Sequence, residues 1–426
     1  MKIVYLCHSF YPEISAPASR VLEMSTEWVK SGNEVTVVTC FPNHPTGIIP
    51  EKYRGRFFMK EMHQGIRVFR NYVYAVPNRG VFKRILSHLS FTFSAVVFSL
   101  PRLGKADVII ASSPTFFPVF AALVISRVKR IPFVFEVRDL WPAAIVELKA
   151  IKSQFIIKML ESLELFLYRR AQTIIVVTRS FKENLIERGI PESKIEIVYN
   201  GVIPERFGLI QQEIAKCKYS LEGCFIVLYA GTMGLSHALK DLLLVAERLQ
   251  SFSEIRFLLV GEGAMKERLQ ELANNKNLEN VIFWQGQPRE QMPEIYALAD
   301  ICIISMKKLE IFTKSIPSKI FEIMASKRPI IAALEGEAAQ ILGKSGNAMI
   351  IPPENPDSLE KAILTLKNDP ALRCQMGENG RKHVEKHFNR SVLAKEYELI
   401  LKSIVNVKTA PDQYQQRIDP SIQLRK

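Results

Sequence analysis

The chain has 426 residues, 48% of them hydrophobic and 23% charged, with a formal net charge of +14. That length exceeds one ordinary core and points to about two or three domains, and the apolar-to-charged balance excludes a disordered or fibrous chain. The positive charge is spread out with no dense Lys/Arg run, which favours anionic substrates and an anionic membrane surface over nucleic acid as partners.

In chain order, residues 3–7 read as an apolar first strand, 19–31 as a helix closed by Gly32, and 34–40 and 68–74 as further strands. The start lacks the longer apolar core and cleavage site of a signal peptide. Residues 85–100 are strongly apolar between Lys83-Arg84 and Arg102, yet shorter than the roughly 20 residues that span a bilayer. Two readings stay open. One is a helix buried in an α/β layer. The other is a helix lying on a membrane surface, from Phe82 to Arg102, with its basic flank on lipid headgroups. Short β-branched runs follow at 108–111, 133–136 and 173–178, with helical patterns between them. Buried runs separated by helices indicate a parallel, doubly wound sheet. A polar stretch after Asn200-Gly201, through Pro204 to about Gly223, reads as the joint.

The alternation then resumes. Strands are expected at 225–229, 256–260, 281–284, 301–305, 330–333 and 348–351, and helices at 239–250, 265–274, 292–297, 320–325 and 356–367. Helix continues from 369 to about 405, and 409–426 reads as a polar tail. The expected organisation is an N-terminal Rossmann-like domain over 1–203 and a C-terminal one over 204–390. A helix over 391–408 would pack back on the first. The six cysteines form no CxxC pair and mostly sit in apolar runs. They read as buried small hydrophobes of a reducing, cytoplasmic compartment.

In open α/β sheets, ligands bind beyond the carboxyl ends of the strands, and the unusual residues fall there. There is no GxGxxG after the first strand, and Gly261-Glu-Gly263 is only a weak signal. After the first strand, small residues including Ser15 precede Arg20, which can reach a phosphate or pair on the surface with Glu23 or Glu27. After 133–136 comes Arg138-Asp-Leu-Trp-Pro142. Here Arg138 could neutralise a phosphate and Asp139 could serve as a base or hydroxyl anchor; a buried Arg–Asp pair is the alternative. Gly231 and Gly234 allow a backbone loop against a ligand.

The stretch Ser315-Ile-Pro-Ser-Lys-Ile-Phe-Glu322 is the most telling. Pro317 and Ser318 open a helix whose unpaired N–H groups suit a phosphate, with Lys319 on them and Glu322 one turn further in for sugar hydroxyls. The plainer reading is a capped helix with a solvated Lys and Glu. The chain has no DxD pair and no zinc-ligand spacing. A diphosphate would be neutralised by helix ends and basic side chains, and no metal cofactor is expected.

These residues carry a resemblance. Phe10-Tyr-Pro-Glu13, Gly32-Asn-Glu-Val-Thr-Val-Val-Thr39, Lys194-Ile-Glu-Ile-Val-Tyr-Asn-Gly-Val202, Tyr229-Ala-Gly231, Val260-Gly-Glu-Gly263, Tyr296-Ala-Leu-Ala-Asp300 and Pro317-Ser-Lys-Ile-Phe-Glu322 are similar to family 4 of the retaining glycosyltransferases. That family implies the GT-B fold, two facing Rossmann-like domains with a central cleft. A narrower likeness, through Ser15-Ala-Pro-Ala-Ser-Arg20 and Pro42-Asn-His-Pro-Thr-Gly47, is to a bacterial O-antigen and capsule branch that includes candidate N-acetyl-L-fucosamine transferases.

The resemblance implies transfer from a UDP-sugar to a lipid-linked glycan, without metal, on the inner face of the cytoplasmic membrane. The acceptor would enter through the N-terminal domain, with Asp139 as catalytic candidate. The donor would sit on Gly231, Thr232, Met233, Gln287, Lys314, Pro317, Ser318, Lys319 and Glu322. Ser15, Arg20 and Arg138 would serve phosphate or cleft. The family's two glutamates, with seven residues between them, fall on Lys314 and Glu322, so only the ribose-binding second one is kept. Thr232 and His237 stand where the family has Arg and Lys, and Asp139 where many members have His. These departures leave two alternatives, a non-catalytic partner subunit and a nucleotide-sugar epimerase of the same fold.

Overall fold

The computed structural model describes residues 1–13, 15–44, 46–77, 81–113, 116–140, 142 and 153–409. The chain forms two compact units, Met1–Tyr199 with the chain from Ser391 on, and Asn200–Arg390.

The first unit holds an eight-stranded sheet: β1 Lys2–Leu6, β2 Glu34–Cys40, β3 Phe58–His63, β4 Ile66–Asn71, β5 Val108–Ser112, β6 Phe133–Val137, β7 Thr173–Val176 and β8 Ile195–Ile197. The order is β3-β4-β2-β1-β5-β6-β7-β8. All neighbours run parallel except the β3–β4 hairpin. That hairpin turns on Gln64 and Gly65, both at positive φ. Sequence patterning missed β3 because an edge strand carrying Lys60 and Glu61 lacks the continuous apolar run of a buried one. The three-residue β8 escaped for the same reason. Trp28 is fully buried, donates to the Ala394 carbonyl at 2.9 Å and packs edge-on against Tyr397. Those contacts hold the helix Arg390–Thr409 on this unit.

The second unit is an all-parallel six-stranded sheet: β9 Phe225–Ala230, β10 Ile255–Val260, β11 Val281–Trp284, β12 Ile301–Ser305, β13 Ile330–Ala333 and β14 Ala348–Ile351. The order is β11-β10-β9-β12-β13-β14. Its four inner strands were legible because apolar runs buried on both faces stand out in sequence, and the edge strands β11 and β14 because they are apolar without a charge.

The stretch 204–223 is not the joint. The chain passes between units at Tyr199 and again at Arg390. There Val202 bridges Asn389, and the Arg390 N–H donates to the Val202 carbonyl at 2.7 Å. The helix Gln212–Lys218 packs into the second unit, with Lys216 on Asp300 at 2.7 Å. The long C-terminal helix is two, Pro370–His387 and Arg390–Thr409, broken at Phe388 and Asn389. From residue 410 on, the expected tail lies outside the described residues.

All six cysteines are free. Cys7, Cys40 and Cys302 are buried as expected, but Cys217 and Cys374 are exposed. Among the described residues no helix is long and apolar enough to cross a membrane. The helix Val81–Ser94 runs on as a π turn, Ala95–Ser99. One face buries Ser87, Phe91, Ser94 and Ala95, while Leu86, Leu89, Phe93 and Val97 form an exposed apolar stripe.

Candidate functional site

The strand order of the second unit reverses between β9 and β12, and ligands of open sheets bind at such a switch point. The loop leaving β9 begins with Gly231 at φ +139. A Cβ there would stand 2.6 Å from the Lys319 ammonium, so glycine leaves the space that Lys319 fills. Lys319 comes from the first residue of the helix Lys319–Ala325. Its Nζ is buried, has no hydrogen-bond partner among the described residues, and lies 4.1 Å from the centroid of the Tyr229 ring.

A desolvated ammonium over an aromatic face gains about 2 kcal/mol, less than the several kcal/mol that desolvation costs. Burial accordingly lowers the Lys319 pKa to about 8, with Glu322 opposing the shift. A buried cation without an anion marks a place where the anion is supplied from outside.

Two further groups frame Lys319. Glu322 accepts the Tyr296 O–H at 3.0 Å, which orients its carboxylate. His237 has Nδ1 3.0 Å from the Ser305 carbonyl. A carbonyl only accepts, so Nδ1 carries the hydrogen. Burial, then the charge of Lys319, lowers the His237 pKa to about 4. The ring is neutral at pH 7.

Several expected donor contacts fall elsewhere. Met233 is fully buried in the core. Its N–H donates to the Glu262 carbonyl at 2.8 Å and its carbonyl accepts from Met265 at 2.9 Å. Met233 therefore anchors the loop and offers a ligand nothing. The glycines of Gly261-Glu-Gly263 clasp that loop. A Cβ would come within 1.9 Å of the Gly231 carbonyl from position 261, and within 2.4 Å of the Met233 carbonyl from position 263.

Pro317 and Ser318 do open the helix, but it has seven residues and Ser318 makes no side-chain cap bond. The N–H groups of Ile320 and Phe321 close on the carbonyls of Pro317 and Ser318 at 3.1 and 3.2 Å. Two of the donors expected to hold a phosphate are thus spent internally, which leaves Lys319 as the main positive group. Lys314 pairs with Glu310 at 3.0 Å. Thr232 is exposed, and its carbonyl accepts the Tyr229 O–H at 2.7 Å. Gln287 follows β11, two strands from β9, and donates to the Gln285 carbonyl at 3.0 Å.

The first unit reverses strand order between β1 and β5. Ser15 caps the helix Ala16–Lys30, its Oγ accepting from the Ala18 N–H at 3.3 Å. Arg20 does not stand at the surface and is engaged within the first unit. It is fully buried, donates to Glu136 Oε1 at 2.9 Å, and donates to the carbonyls of Tyr199 and Val198 at 2.9 and 3.1 Å. Tyr5 and Ser112 donate to Glu136 Oε2 at 2.6 and 2.8 Å. The sequence reading missed Glu136 as a hub; a lone carboxylate between Phe135 and Val137 on a buried strand was the available signal.

Arg138 has Nε and Nη1 buried without partners among the described residues, while its backbone N–H donates to Ser113 Oγ at 2.8 Å. Burial lowers its pKa, with Glu136 opposing. Asp139 reaches solvent on one side. Crowding by protein on the others raises its carboxyl to about 6, against the pull of Arg138. Trp141, from the same run, lies outside the described residues. Among those described, no group of three or more His, Cys, Asp and Glu side chains is placed to hold a metal ion.

Two parallel-sheet α/β units, one carrying a buried ammonium and an oriented carboxylate at its switch point, define a GT-B glycosyltransferase. A family profile described as "Glycosyl transferase 4-like domain" matches residues 15–201, and one described as "Glycosyl transferases group 1" matches residues 211–383. Together they cover most of the chain, which belongs to this glycosyltransferase family.

A candidate colanic acid biosynthesis glycosyl transferase of Escherichia coli K12, WcaI, is 24% identical over 391 residues, covering 88% of this chain and 95% of that one. Solved structures share the fold at lower identity. Sucrose-phosphate synthase of Thermosynechococcus elongatus superposes with a TM-score of 0.74 at 17% identity, over 96% of this chain and all of that one. Anabaena HepE, crystallised with UDP-glucose, gives 0.71 at 15%, over 95% of this chain and all of that one.

Proposed function

We propose that the protein is a retaining, metal-independent glycosyltransferase. It moves a sugar from a UDP-sugar to a lipid-linked glycan in the synthesis of O-antigen, capsule or exopolysaccharide. Lys319 carries this reading: a buried ammonium without a partner awaits a diphosphate and supplies positive charge where a metal would otherwise be needed. HepE, crystallised with UDP-glucose, supports UDP as the carrier, and the name of WcaI supports a surface polysaccharide as destination. The Ser15-to-Arg20 likeness supports an N-acetylated hexosamine or 6-deoxyhexosamine as the sugar.

The second unit binds the donor and the first the acceptor. Glu322 accepts from ribose hydroxyls and Lys319 meets the diphosphate. The acceptor oxygen bonds to the anomeric carbon on the face the diphosphate leaves. The bond from that carbon to the phosphate oxygen breaks, and the hydroxyl proton passes to the departing diphosphate. Asp139, mostly ionised at pH 7 with its pKa near 6, accepts a hydrogen bond from a neighbouring acceptor hydroxyl, which positions the attacking one, and is the catalytic candidate on the acceptor side.

A thermal-shift series with UDP, GDP, ADP, dTDP and CMP in EDTA tests this. UDP at a hundredfold its Kd should add about 2.7 kcal/mol of stability and the others far less. A shift that vanishes with EDTA, or that favours another nucleotide, overturns the reading.

The protein works in the cytoplasm against the inner membrane face. The stripe of Leu86, Leu89, Phe93 and Val97 lies between Lys83-Arg84 and Arg102, and no Asp or Glu occurs from 81 to 99. Such a face suits anionic lipid. Flotation with vesicles of one-third phosphatidylglycerol should carry the wild type upward and leave Phe93→Glu behind. Wild type that stays at the bottom removes the membrane from the proposal.

A further inference from the structure

The first unit contains a cavity of about 250 Å³. Its wall includes His8 and Ser9 after β1 and Ser112 and Ser113 at the end of β5, which places it at the switch point of this sheet. It is smaller than the roughly 300–1,000 Å³ of a pocket for drug-sized ligands, and suits a single sugar with one substituent.

The charge on its wall is one-sided. His8, His44 after β2, and Arg84 and His88 from the helix Val81–Ser94 all line it. No Asp or Glu stands among its described lining residues. Two carboxylates of the same unit are engaged in holding structure. Glu136 serves Tyr5, Arg20 and Ser112. Glu13 accepts, through one oxygen, the N–H groups of Asn43 and His44 at 2.8 and 2.9 Å. His8 meets His88 edge-on, with ring centroids 5.0 Å apart. Burial, then the neighbouring His88, His44 and Arg84, lowers the His8 pKa to about 3. Burial and Arg84 lower that of His88 to about 4. Arg84 is thus the fixed charge of the described lining, with the neutral rings of His8 and His88 beside it as hydrogen-bonding groups, and hydroxyls that could bond a sugar are also present, on Ser9 and Ser15.

We propose that this cavity recognises a negatively charged group, phosphate or carboxylate, at the reacting end of the acceptor, with Arg84 as the principal contact and His44 and His88 as supporting donors. The inference rests on the reading of the first unit as the acceptor side, and goes beyond it by naming what the acceptor carries. A guanidinium binds such an oxygen pair through two parallel hydrogen bonds. Two sources share this chemistry: the diphosphate that joins a glycan to its lipid, and an acidic sugar.

Histidine-labelled full-length protein, without UDP, is titrated with glucuronate, inorganic pyrophosphate and glucose while the ring signals of its seven histidines are followed by NMR. Glucuronate or pyrophosphate should move His44 and His88, leave His383 and His387 unmoved, and lose about tenfold in affinity in Arg84→Gln. Movement by glucuronate assigns an acidic sugar, and movement by pyrophosphate alone assigns the lipid diphosphate. Glucose should move neither. If both anions leave His44 and His88 unmoved, or move them equally in Arg84→Gln, the proposal fails. A UDP titration reads the donor side separately through His237, so failure there is distinguishable, and an unchanged ring signal of His63, on β3 of the first unit and outside the cavity, shows that Arg84→Gln is folded.

Discussion

The Lys319→Ala protein is expected to bind UDP about a hundredfold more weakly than wild type while melting no lower. A hydrogen bond to a charged group contributes about 1.5–3 kcal/mol, which is roughly ten- to a hundred-and-fifty-fold in a dissociation constant. Lys319 sits at the upper end because its Nζ is buried and unpartnered, so it gives up no competing hydrogen bond when a diphosphate arrives. The same isolation explains the stability half of the prediction. A buried charge without a hydrogen-bond partner is a cost to the free fold, which the Tyr229 ring and the nearby Glu322 carboxylate offset only in part. Lys319→Met keeps the stem and removes the charge, and should raise the melting temperature slightly. Calorimetric titration with UDP reads the first effect, and a donor KM rising in parallel reads it in turnover. An unchanged dissociation constant would assign the diphosphate to other residues.

The pKa of Lys319 gives this a pH signature. Its folded value, about 8, lies below the ordinary 10.5. Between these values the unfolded chain holds more protons than the folded one, so stability of the free protein rises with pH across that window. Below about pH 8 the penalty is fully present. UDP favours the protonated lysine, so its affinity should fall as pH rises through 8, with proton uptake on binding above that point. Lys319→Met should flatten both profiles.

Lys319 was legible in sequence because helix-start chemistry is local: Pro317, Ser318 and the following apolar face lie within one turn. What local pattern overstated was the helix end, since seven residues and two internally closed N–H groups leave little for a phosphate. Met233 misled because a residue beside two glycines looks like part of a ligand loop, whereas its role depends on Glu262 and Met265, some thirty positions on. Arg20 misled for the same reason at greater range, as its partners lie at 136, 198 and 199. The strands of the second unit were read nearly residue for residue. Burial on both faces writes itself into composition in its inner strands, and the edge strands β11 and β14 are still uncharged apolar runs, whereas β3 carries Lys60 and Glu61. The basic cavity was not readable at all. His8, His44 and His88 are each unremarkable alone, and only the parallel pairing of β1 with β2, with the helix Val81–Ser94 packed so that His88 meets His8, draws them together.

Arg20→Met should cost about 3–5 kcal/mol of stability, the usual result of stripping one partner from a buried ion pair. Neither side chain of the Arg20–Glu136 pair is exposed, so water cannot replace what is lost. Burial alone would raise the Glu136 pKa, but Arg20, then Arg138, Tyr5 and Ser112, outweigh it and hold the carboxyl below its ordinary 4.5. The pair's contribution is therefore complete above the ordinary glutamate range and is lost as pH falls through the lower folded value. In Arg20→Met the carboxylate is left buried with only Tyr5, Ser112 and the more distant Arg138, and acid unfolding should begin at a higher pH. Glu136→Gln should be milder than Arg20→Met, because the amide oxygen still accepts one bond, and the double variant should cost less than the sum of the two.

The functional consequence follows from chain connectivity. Arg20 ties β6 to the carbonyls of Val198 and Tyr199, just before the chain leaves the first unit, and Arg138 and Asp139 follow Glu136 directly. Transfer to acceptor should fall with the melting temperature, while UDP affinity, which belongs to the second unit, is retained below the transition. Were Arg20 a phosphate ligand, the opposite pattern would appear: UDP affinity lost and stability kept.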